Sequence, residues 1–563
     1  MVKRLLALLH KDVRGLHEAA YLLGAFALLS QVLALLRDRL FAGTFGAGEI
    51  LDSYYAAFRI PDLILVGAAS IVSASILVPF LVEKMEKDED GGKRFVDGVF
   101  STFFIGIAAV SLAAFFLTPF LVRTFFPAAL ISEEFFNTTV TLTKIMLLQP
   151  IFLGISNLLG SIVQARRRFF VYAVSPLLYN IGIIFGVVFL YPLFGTSGLA
   201  WGVVFGAALH FAVQIPIVVR AGLFPRFSFS WKFSELRRIV AASLPRTAAL
   251  GVSNIVTLFL LYLASSIGAG SIAIFTLAWN VQSVPLSIVG ISYSLAAFPT
   301  LVRLFSKDGN GAFFSAVSTS FKHIVFWSLP ATALFIVLRA QIVRVVLGAG
   351  AFSWTDTRLT AAALALFAIS IVAQGLILLL VRAYYAAGET SRPLLVNVFA
   401  GALTVGLGYW FALWFSHSSS FRFFIEALLR VTDVAGTGAL ALPLAYSIGA
   451  LVNLSLLWRL FSVRYGSLWS ASRRTICESI GASVIAGAVA YGGLNFFDTL
   501  FNLESVFGVL MQGLLAGMLG IAAWAAVLYA LKNRELAEAW ATVHHKIWRS
   551  HPIAPDPVEN PTL

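Results

Sequence analysis

Pro176-Leu177-Leu178-Tyr179-Asn180 returns later in the chain as Pro393-Leu394-Leu395-Val396-Asn397, each copy opening a long apolar run just after a short basic loop. Neighbouring landmarks recur at a similar distance. Gly46-Ala47-Gly48 followed by Ala57-Phe58-Arg59 is echoed by Gly268-Ala269-Gly270 followed by Ala278-Trp279-Asn280, and Gly198-Leu199-Ala200 anticipates Gly438-Ala439-Leu440-Ala441. A period above about two hundred residues excludes a solenoid and reads as two homologous halves. In a membrane protein, such halves mark a transporter whose site lies between them.

The composition requires a membrane. Hydrophobic residues fill 59% of 563 positions, charged residues 12%, and the mean hydropathy is +0.89. A soluble fold of that composition would lack the polar surface it needs. The single Cys477 excludes an intrachain disulfide. The basic N-terminus (Lys3, Arg4, Lys11, Arg14) has no small-residue cleavage site and reads as a retained cytoplasmic segment.

Fourteen apolar stretches are long enough to cross about 30 Å of hydrocarbon. They lie at about 17–36, 53–82, 96–122, 140–163, 171–192, 198–219, 241–264, 272–302, 321–341, 360–381, 393–414, 435–458, 476–494 and 506–530. With both termini inside, about 29 Lys and Arg fall on the cytoplasmic side and about 8 on the other. The net charge of +13 is therefore positive-inside bias. No basic stretch is long enough for a folded nucleic-acid reader.

The expected fold is thus an all-α polytopic membrane protein of about fourteen transmembrane helices. Six spans per repeat is an even number, so the two six-helix lobes are parallel, related by an axis along the membrane normal. A cytoplasmic segment covers residues 1–16, the first lobe 17–225, a cytoplasmic linker 226–240, the second lobe 241–462 and the last two helices 463–531. The cytoplasmic tail 532–563 begins as a polar helix and ends in Pro552, Pro555, Pro557 and Pro561. Internal prolines (Pro61 and Pro79 in span two, Pro285 and Pro299 in span eight) predict bent helices.

The densest polar feature near an apolar core is Arg37-Asp38-Arg39, Gly46-Ala47-Gly48, Asp52 and Arg59-Ile60-Pro61. Arg59 lies two turns into span two, where an arginine costs about 2.5 kcal/mol or more unless it meets water or a partner. Asp52, seven residues earlier, shares that helical face. Two readings are open: an Arg–Asp pair that stabilises the lobe, or an arginine aimed into a polar cavity to hold an anion. Guanidinium forks suit phosphate oxygens, so Arg37, Arg59 and Arg246, early in span seven, together suit a phosphorylated or diphosphate substrate. No metal site is expected, since His544-His545 lacks nearby Cys or carboxylate ligands. There is no GxxxxGK[ST] loop and no assignable Ser/His/Asp set, so the chain reads as a non-enzyme without a bound cofactor.

These residues resemble a known family. Ser30-Gln31-Val32-Leu33, Arg37-Asp38, Phe45-Gly46-Ala47-Gly48, Asp52-Ser53-Tyr54-Tyr55 and Ala57-Phe58-Arg59-Ile60-Pro61 are similar to the opening of the MurJ/MviN lipid II flippases. Further similar pieces are Gln164-Ala165-Arg166-Arg167-Arg168-Phe169, Val284-Pro285-Leu286-Ser287-Ile288-Val289-Gly290 and Arg382-Ala383-Tyr384-Tyr385-Ala386. The resemblance implies the multidrug/oligosaccharidyl-lipid/polysaccharide exporter fold, with a cationic cavity between the lobes and a groove for a polyprenyl tail at the last two helices. It implies a bacterial inner-membrane flippase for undecaprenyl-diphosphate-linked lipid II, working by alternating access. Substrate-binding positions implied or suggested here are Arg37, Asp52, Arg59, Arg246 and Asn280.

The chain also departs from the family pattern. Gln31 stands at a cavity arginine position, Leu65 and Ser70 at an arginine and a glutamate, Asn280 at an arginine, and Leu260 at an aspartate linked in some members to sodium. Alternatives therefore stay open: a flippase or exporter for another polyprenyl-linked saccharide or amphiphile, or a non-transporting membrane scaffold. Coupling to membrane potential or a monovalent cation, and partners among cell-wall synthesis proteins, are likewise left open.

Overall fold

The computed structural model describes residues 16–71, 77, 80, 81, 83, 91–166, 168–228, 233–307 and 309–548, without the side chains of 16–21, 68–71, 129, 233–246, 248–250, 307, 309 and 542–548. The N-terminal residues 1–15, Pro79, Lys84, Lys87, Arg167, the side chains of Ser70, Arg246 and His544-His545, and the proline-rich tail lie outside that description. Among the described residues every regular element is helical. This is what a bilayer demands of a chain that must satisfy its own backbone.

Helix α1 (Leu16–Phe45) is followed by a broken pair, α2 (Glu49–Ala57) and α3 (Arg59–Ile71). Next come α4 (Gly91–Phe125), α5 (Glu133–Met146), α6 (Leu148–Ala165), α7 (Phe169–Phe185) and α8 (Thr196–Ala212). The second half begins with α9 (Phe233–Ile267), α10 (Ser271–Pro285), α11 (Ser292–Lys307) and α12 (Gly309–Val337). It continues through α13 (Arg339–Val346), α14 (Trp354–Ala368), α15 (Ile371–Ala386), α16 (Ser391–His417), α17 (Ser419–Leu429) and α18 (Ala441–Tyr465). The last helices are α19 (Leu468–Asp498), α20 (Val506–Ala530) and α21 (Arg534–Trp548).

Among the described residues, ten helical stretches are long and apolar enough to cross a membrane, and the α14–α15 pair, bent by 43°, makes an eleventh. Helices α1, α2–α3 and α9 occupy the other three apolar stretches of the sequence. The breaks follow the prolines. The α2–α3 break falls at Phe58, three residues before Pro61, and α10 ends on Pro285, where a π-helical turn, Leu286–Ile291, takes over. Proline removes a backbone donor, and a local π adjustment re-satisfies the freed groups. Pro299, by contrast, lies inside α11.

Close packing relies on small residues where helices touch. A Cβ on Gly182 of α7 would lie 2.2 Å from Gly206 Cα of α8, and one on Gly186 2.6 Å from Gly202 Cα. Lipid gives helices no hydrophobic drive to associate, so backbone approach of this kind supplies the van der Waals contact instead.

Among the described residues, the two halves share a core at one end. One buried cluster joins Phe41, Leu51 and Ala57 with Leu260, Ile272, Ala278, Phe367 and Leu442. Toward the basic loops the cores separate, one built on Val99, Leu159 and Val218, the other on Phe321, Leu379 and Leu457. Helix α9 still packs along α3. Among the described residues the halves are therefore joined at the end of the Gly46, Gly270 and Gly350 turns and build separate cores toward the other.

Candidate functional site

Arg37 lies in the last third of α1, where it would be costly in lipid without partners. Its Nε and Nη2 donate to Asp38 Oδ1 at 3.0 and 2.8 Å, and its Nη1 donates to Asn180 Oδ1 of α7 at 3.2 Å. Asp38 is 1% exposed. Its other oxygen, Oδ2, accepts from Asn280 Nδ2 of α10 at 2.9 Å. A buried ion pair is costly unless further hydrogen bonds support it, and here Asn180 accepts one guanidinium N–H while Asn280 donates to the second Asp38 oxygen. Asn180 Nδ2 also donates to Ser30 Oγ at 3.3 Å and to the Pro176 carbonyl at 3.2 Å. Nearby, Gln31 Nε2 donates to Ser283 Oγ at 3.1 Å. The seam between the two halves is thus a run of short polar links from α1 to α10.

Arg59 heads α3, just past the break, and is half-buried. It interacts electrostatically with Asp62 and Tyr55. Tyr55 interacts in turn with Asp38 and Arg37, and Tyr179 with Asp62 and Arg37. Arg37 and Arg59 therefore belong to one cluster. Its formal charge is balanced, two arginines against Asp38 and Asp62, where the resemblance implies a cationic cavity. The Arg37 side chain keeps 20% of its surface exposed.

Asp52 does not pair with Arg59. Its Oδ2 accepts from the Gly270 amide at 2.6 Å and its Oδ1 from the Ala273 amide at 2.7 Å. Gly270, at φ +85°, begins α10 with no side-chain cap of its own. The first N–H groups of a helix lack intrahelical partners and carry partial positive charge. A carboxylate from the opposite half supplies both the bonds and the charge. A Cβ on Gly270 would meet the Ala47 carbonyl oxygen at 2.2 Å, so only glycine admits this approach.

More links seal the same end. Ala351 N donates to Gly43 O at 2.8 Å, Arg39 Nη1 donates to Val345 O, and Ala47 N donates to Asp356 Oδ2 at 3.4 Å. Asp52 and Arg39 are thus placed in the closure, Arg37, Arg59 and Asn280 in the cluster. Arg246 lies on α9, its side chain outside the described residues. Leu260 is fully buried and would face a Cβ on Gly408 at 3.1 Å, an apolar contact.

Several cluster residues, Tyr179 among them, are absent from the sequence-derived set. Asp38 and Asp62 were visible as carboxylates inside apolar helices, a pattern that by itself signals function. Asn180 ends the first copy of the repeated pentapeptide. Tyr55 carried no signal, since a tyrosine near a span end reads as an interfacial anchor.

Comparison with known proteins places this geometry. The family described as "Lipid II flippase MurJ" matches residues 41–512. A probable lipid II flippase MurJ of Rhizobium tropici is 26% identical over 509 residues, covering 87% of this chain and 90% of its own length. A lipid II flippase MurJ of Burkholderia cenocepacia is 24% identical over 493 residues, covering 86% and 91%. Among solved structures, a lipid II flippase MurJ in an inward closed conformation superposes with a TM-score of 0.71 at 21% identity, over 91% of this chain and 100% of that one. An inward-facing MATE-family transporter of the MOP superfamily gives 0.62 at 16% identity, over 79% and 96%. The structural likenesses speak for the fold.

Proposed function

Since the chain belongs to the MurJ lipid II flippase family, we propose that it carries lipid II, a polyprenyl-diphosphate-linked peptidoglycan precursor, from the cytoplasmic to the outer leaflet by alternating access. The observation that carries this reading is the convergence of Arg37 and Arg59 at the seam between two halves that are sealed at one end. With the basic loops cytoplasmic, both termini lie on the cytoplasmic side of the bacterial inner membrane and the sealed end faces outward. The lobes are residues 17–225 and 241–462. Helices α19 and α20, packed against α12 and α13, border the polyprenyl tail, and surrounding lipids and cell-wall synthesis proteins are the partners.

Arg37 is linked to the second half through Asp38, which Asn280 also holds. A diphosphate that drew the guanidinium fork away from Asp38 would loosen that link. Substrate binding and movement of the halves would then be one event. Outward opening would further require α10 to give up the Asp52 cap. Membrane potential, worth about 2.3 kcal/mol per charge per 100 mV, or a monovalent cation biases the cycle.

Translocation of labelled lipid II head groups in proteoliposomes tests the reading; a wild-type rate no higher than that of protein-free vesicles would end it. The balanced charge of the cluster favours a second reading, a flippase for another polyprenyl-linked saccharide. The lipid that co-purifies with the chain distinguishes the two.

A further inference from the structure

Two arginines at the joined end have no counter-charge. Arg339 opens α13 and Arg430 directly follows α17, and the two guanidiniums interact electrostatically as like charges. Arg339 Nη1 donates to the Ile336 carbonyl at 2.9 Å and its Nη2 to the Leu429 carbonyl at 3.4 Å. Arg430 Nη2 donates to the Tyr491 hydroxyl of α19 at 3.2 Å. Neighbouring carboxylates are taken, Glu426 by Arg422 and Thr437, Asp433 by Arg358. Among the described residues, neither Arg339 nor Arg430 bonds a carboxylate. A guanidinium has five N–H groups and accepts nothing, so three remain on Arg339 and four on Arg430.

Arg339 has a structural role of its own, since a cation suits the carbonyl ends of α12 and α17. That account does not extend to Arg430. Its backbone is left-handed, at φ +60° and ψ +47°, and among the described residues the other non-glycine with positive φ is Lys532. Glycine or asparagine reaches this conformation at lower cost. An arginine here sets a second cation against Arg339 and gains a single hydroxyl bond, so an anion is missing from the arrangement.

The surroundings are those of a lipid. Phe423, Phe424 and Leu428 of α17 are exposed, as are Val484 and Tyr491, which share a face of α19. Trp410 and Trp414, exposed toward the end of α16, mark the belt where a span meets the headgroups. An anion that reaches this pair therefore needs apolar parts beside it. We infer that Arg339 and Arg430 hold the phosphate of an anionic phospholipid whose acyl chains lie along α17 and α19. Its leaflet is the outer one in the orientation proposed above. The phosphate offsets the repulsion between the arginines and, through Arg430 and Tyr491, ties α19 to the second half. The site shares no residue with the Arg37 and Arg59 cluster, and the inference does not depend on what the chain transports.

The test uses the full chain in nanodiscs of mixed phosphatidylglycerol and phosphatidylcholine, with the lipids that stay bound counted by native mass spectrometry. Wild type is expected to hold phosphatidylglycerol about tenfold more tightly than phosphatidylcholine, whose choline offsets its phosphate. Arg430→Asn removes the charge and suits the left-handed backbone. It is expected to erase most of that preference with the unfolding temperature in pure phosphatidylcholine unchanged or higher. Arg339→Gln, which keeps a donor for the two carbonyls, is expected to act in the same direction. Arg123→Asn, on α4 at a cation that stacks on Phe136, is expected to leave the preference intact. An unchanged preference in Arg430→Asn would overturn the site. An equal loss in Arg123→Asn would also overturn it, by assigning the preference to overall surface charge. Retention of undecaprenyl diphosphate through Arg430, with none of phosphatidylglycerol, would overturn the phospholipid as its occupant.

Discussion

Asn180 and Asn397 end the two copies of the same pentapeptide, yet they do different work. Asn180 joins Arg37 and Ser30 of α1, whereas Asn397 Oδ1 accepts from Asn453 Nδ2 at 3.0 Å in a neutral amide pair. Pro176 sits inside α7, and Pro393 in the first turn of α16, where a missing N–H has no cost. Across the seam the contrast widens. Arg37, Asp38, Arg59 and Asp62 all belong to the first half, and the second half contributes the uncharged Asn280. The repeat duplicated a scaffold, while the intramembrane charge of the cluster stays on one side.

The strongest way to break this contrast is Arg37→Ala. It should strip Asp38 of its cation at a cost of about 3–5 kcal/mol and abolish complementation of a flippase-depleted bacterium. Survival of complementation would show that the first half does not carry the anion site. Asp52→Ala should leave two amides of α10 uncapped at a cost of about 2 kcal/mol, read as faster hydrogen exchange at Gly270 and Ala273. Asp52→Asn keeps one acceptor oxygen but turns an NH2 donor toward the other amide, so it should protect one of the two amides and expose the other. Protection of both amides in Asp52→Asn would show that the two carboxylate oxygens are not what holds this helix start.

The two asparagines can be compared directly. Asn180→Leu should cost about 1–3 kcal/mol by unpairing a guanidinium donor and Ser30, and should slow translocation. Asn397→Leu should cost about 1 kcal/mol of stability and leave translocation near wild type. Equal transport defects would erase the asymmetry.

The smallest effect lies outside the bilayer. Arg358 donates to both carboxylate oxygens of Asp433, at 2.6 and 2.7 Å, and this hydrogen-bonded fork holds the Asp433 carboxyl below the ordinary carboxylate range. Its stabilisation is present above the unfolded value, about 3.9, and is lost as pH falls through the lower folded value. The difference in unfolding temperature between wild type and Arg358→Ala should therefore shrink in strong acid to what the pH-independent bond from Arg358 Nη2 to the Arg430 carbonyl supplies. A difference that does not shrink would assign the stabilisation to that bond and to packing rather than to the ion pair.

Much of the architecture was readable in one dimension. Apolar runs located the helices, and Pro61 and Pro285 marked the neighbourhoods of two breaks. The site was less legible. Asp52 and Arg59 share a face when read as one continuous helix, and nothing local reveals that a helix start 218 residues away claims the carboxylate. Asp38 read as a mere neighbour of Arg37, although it is the link to Asn280, 242 residues on. The balanced charge of the cluster became visible only when Asp38 and Asp62 were placed beside the two arginines.

By itself, then, the sequence determined that the chain spans a membrane as helices, that it is built as two related halves, and that Arg37 and Arg59 need partners. Lipid solvation acts residue by residue, so its demands are written in the local pattern. Only the tertiary structure decided which partner each charge takes, which end is sealed and which donors stay unpaired. Those outcomes depend on distances of about three ångströms between groups far apart in the chain, and no local pattern encodes such distances.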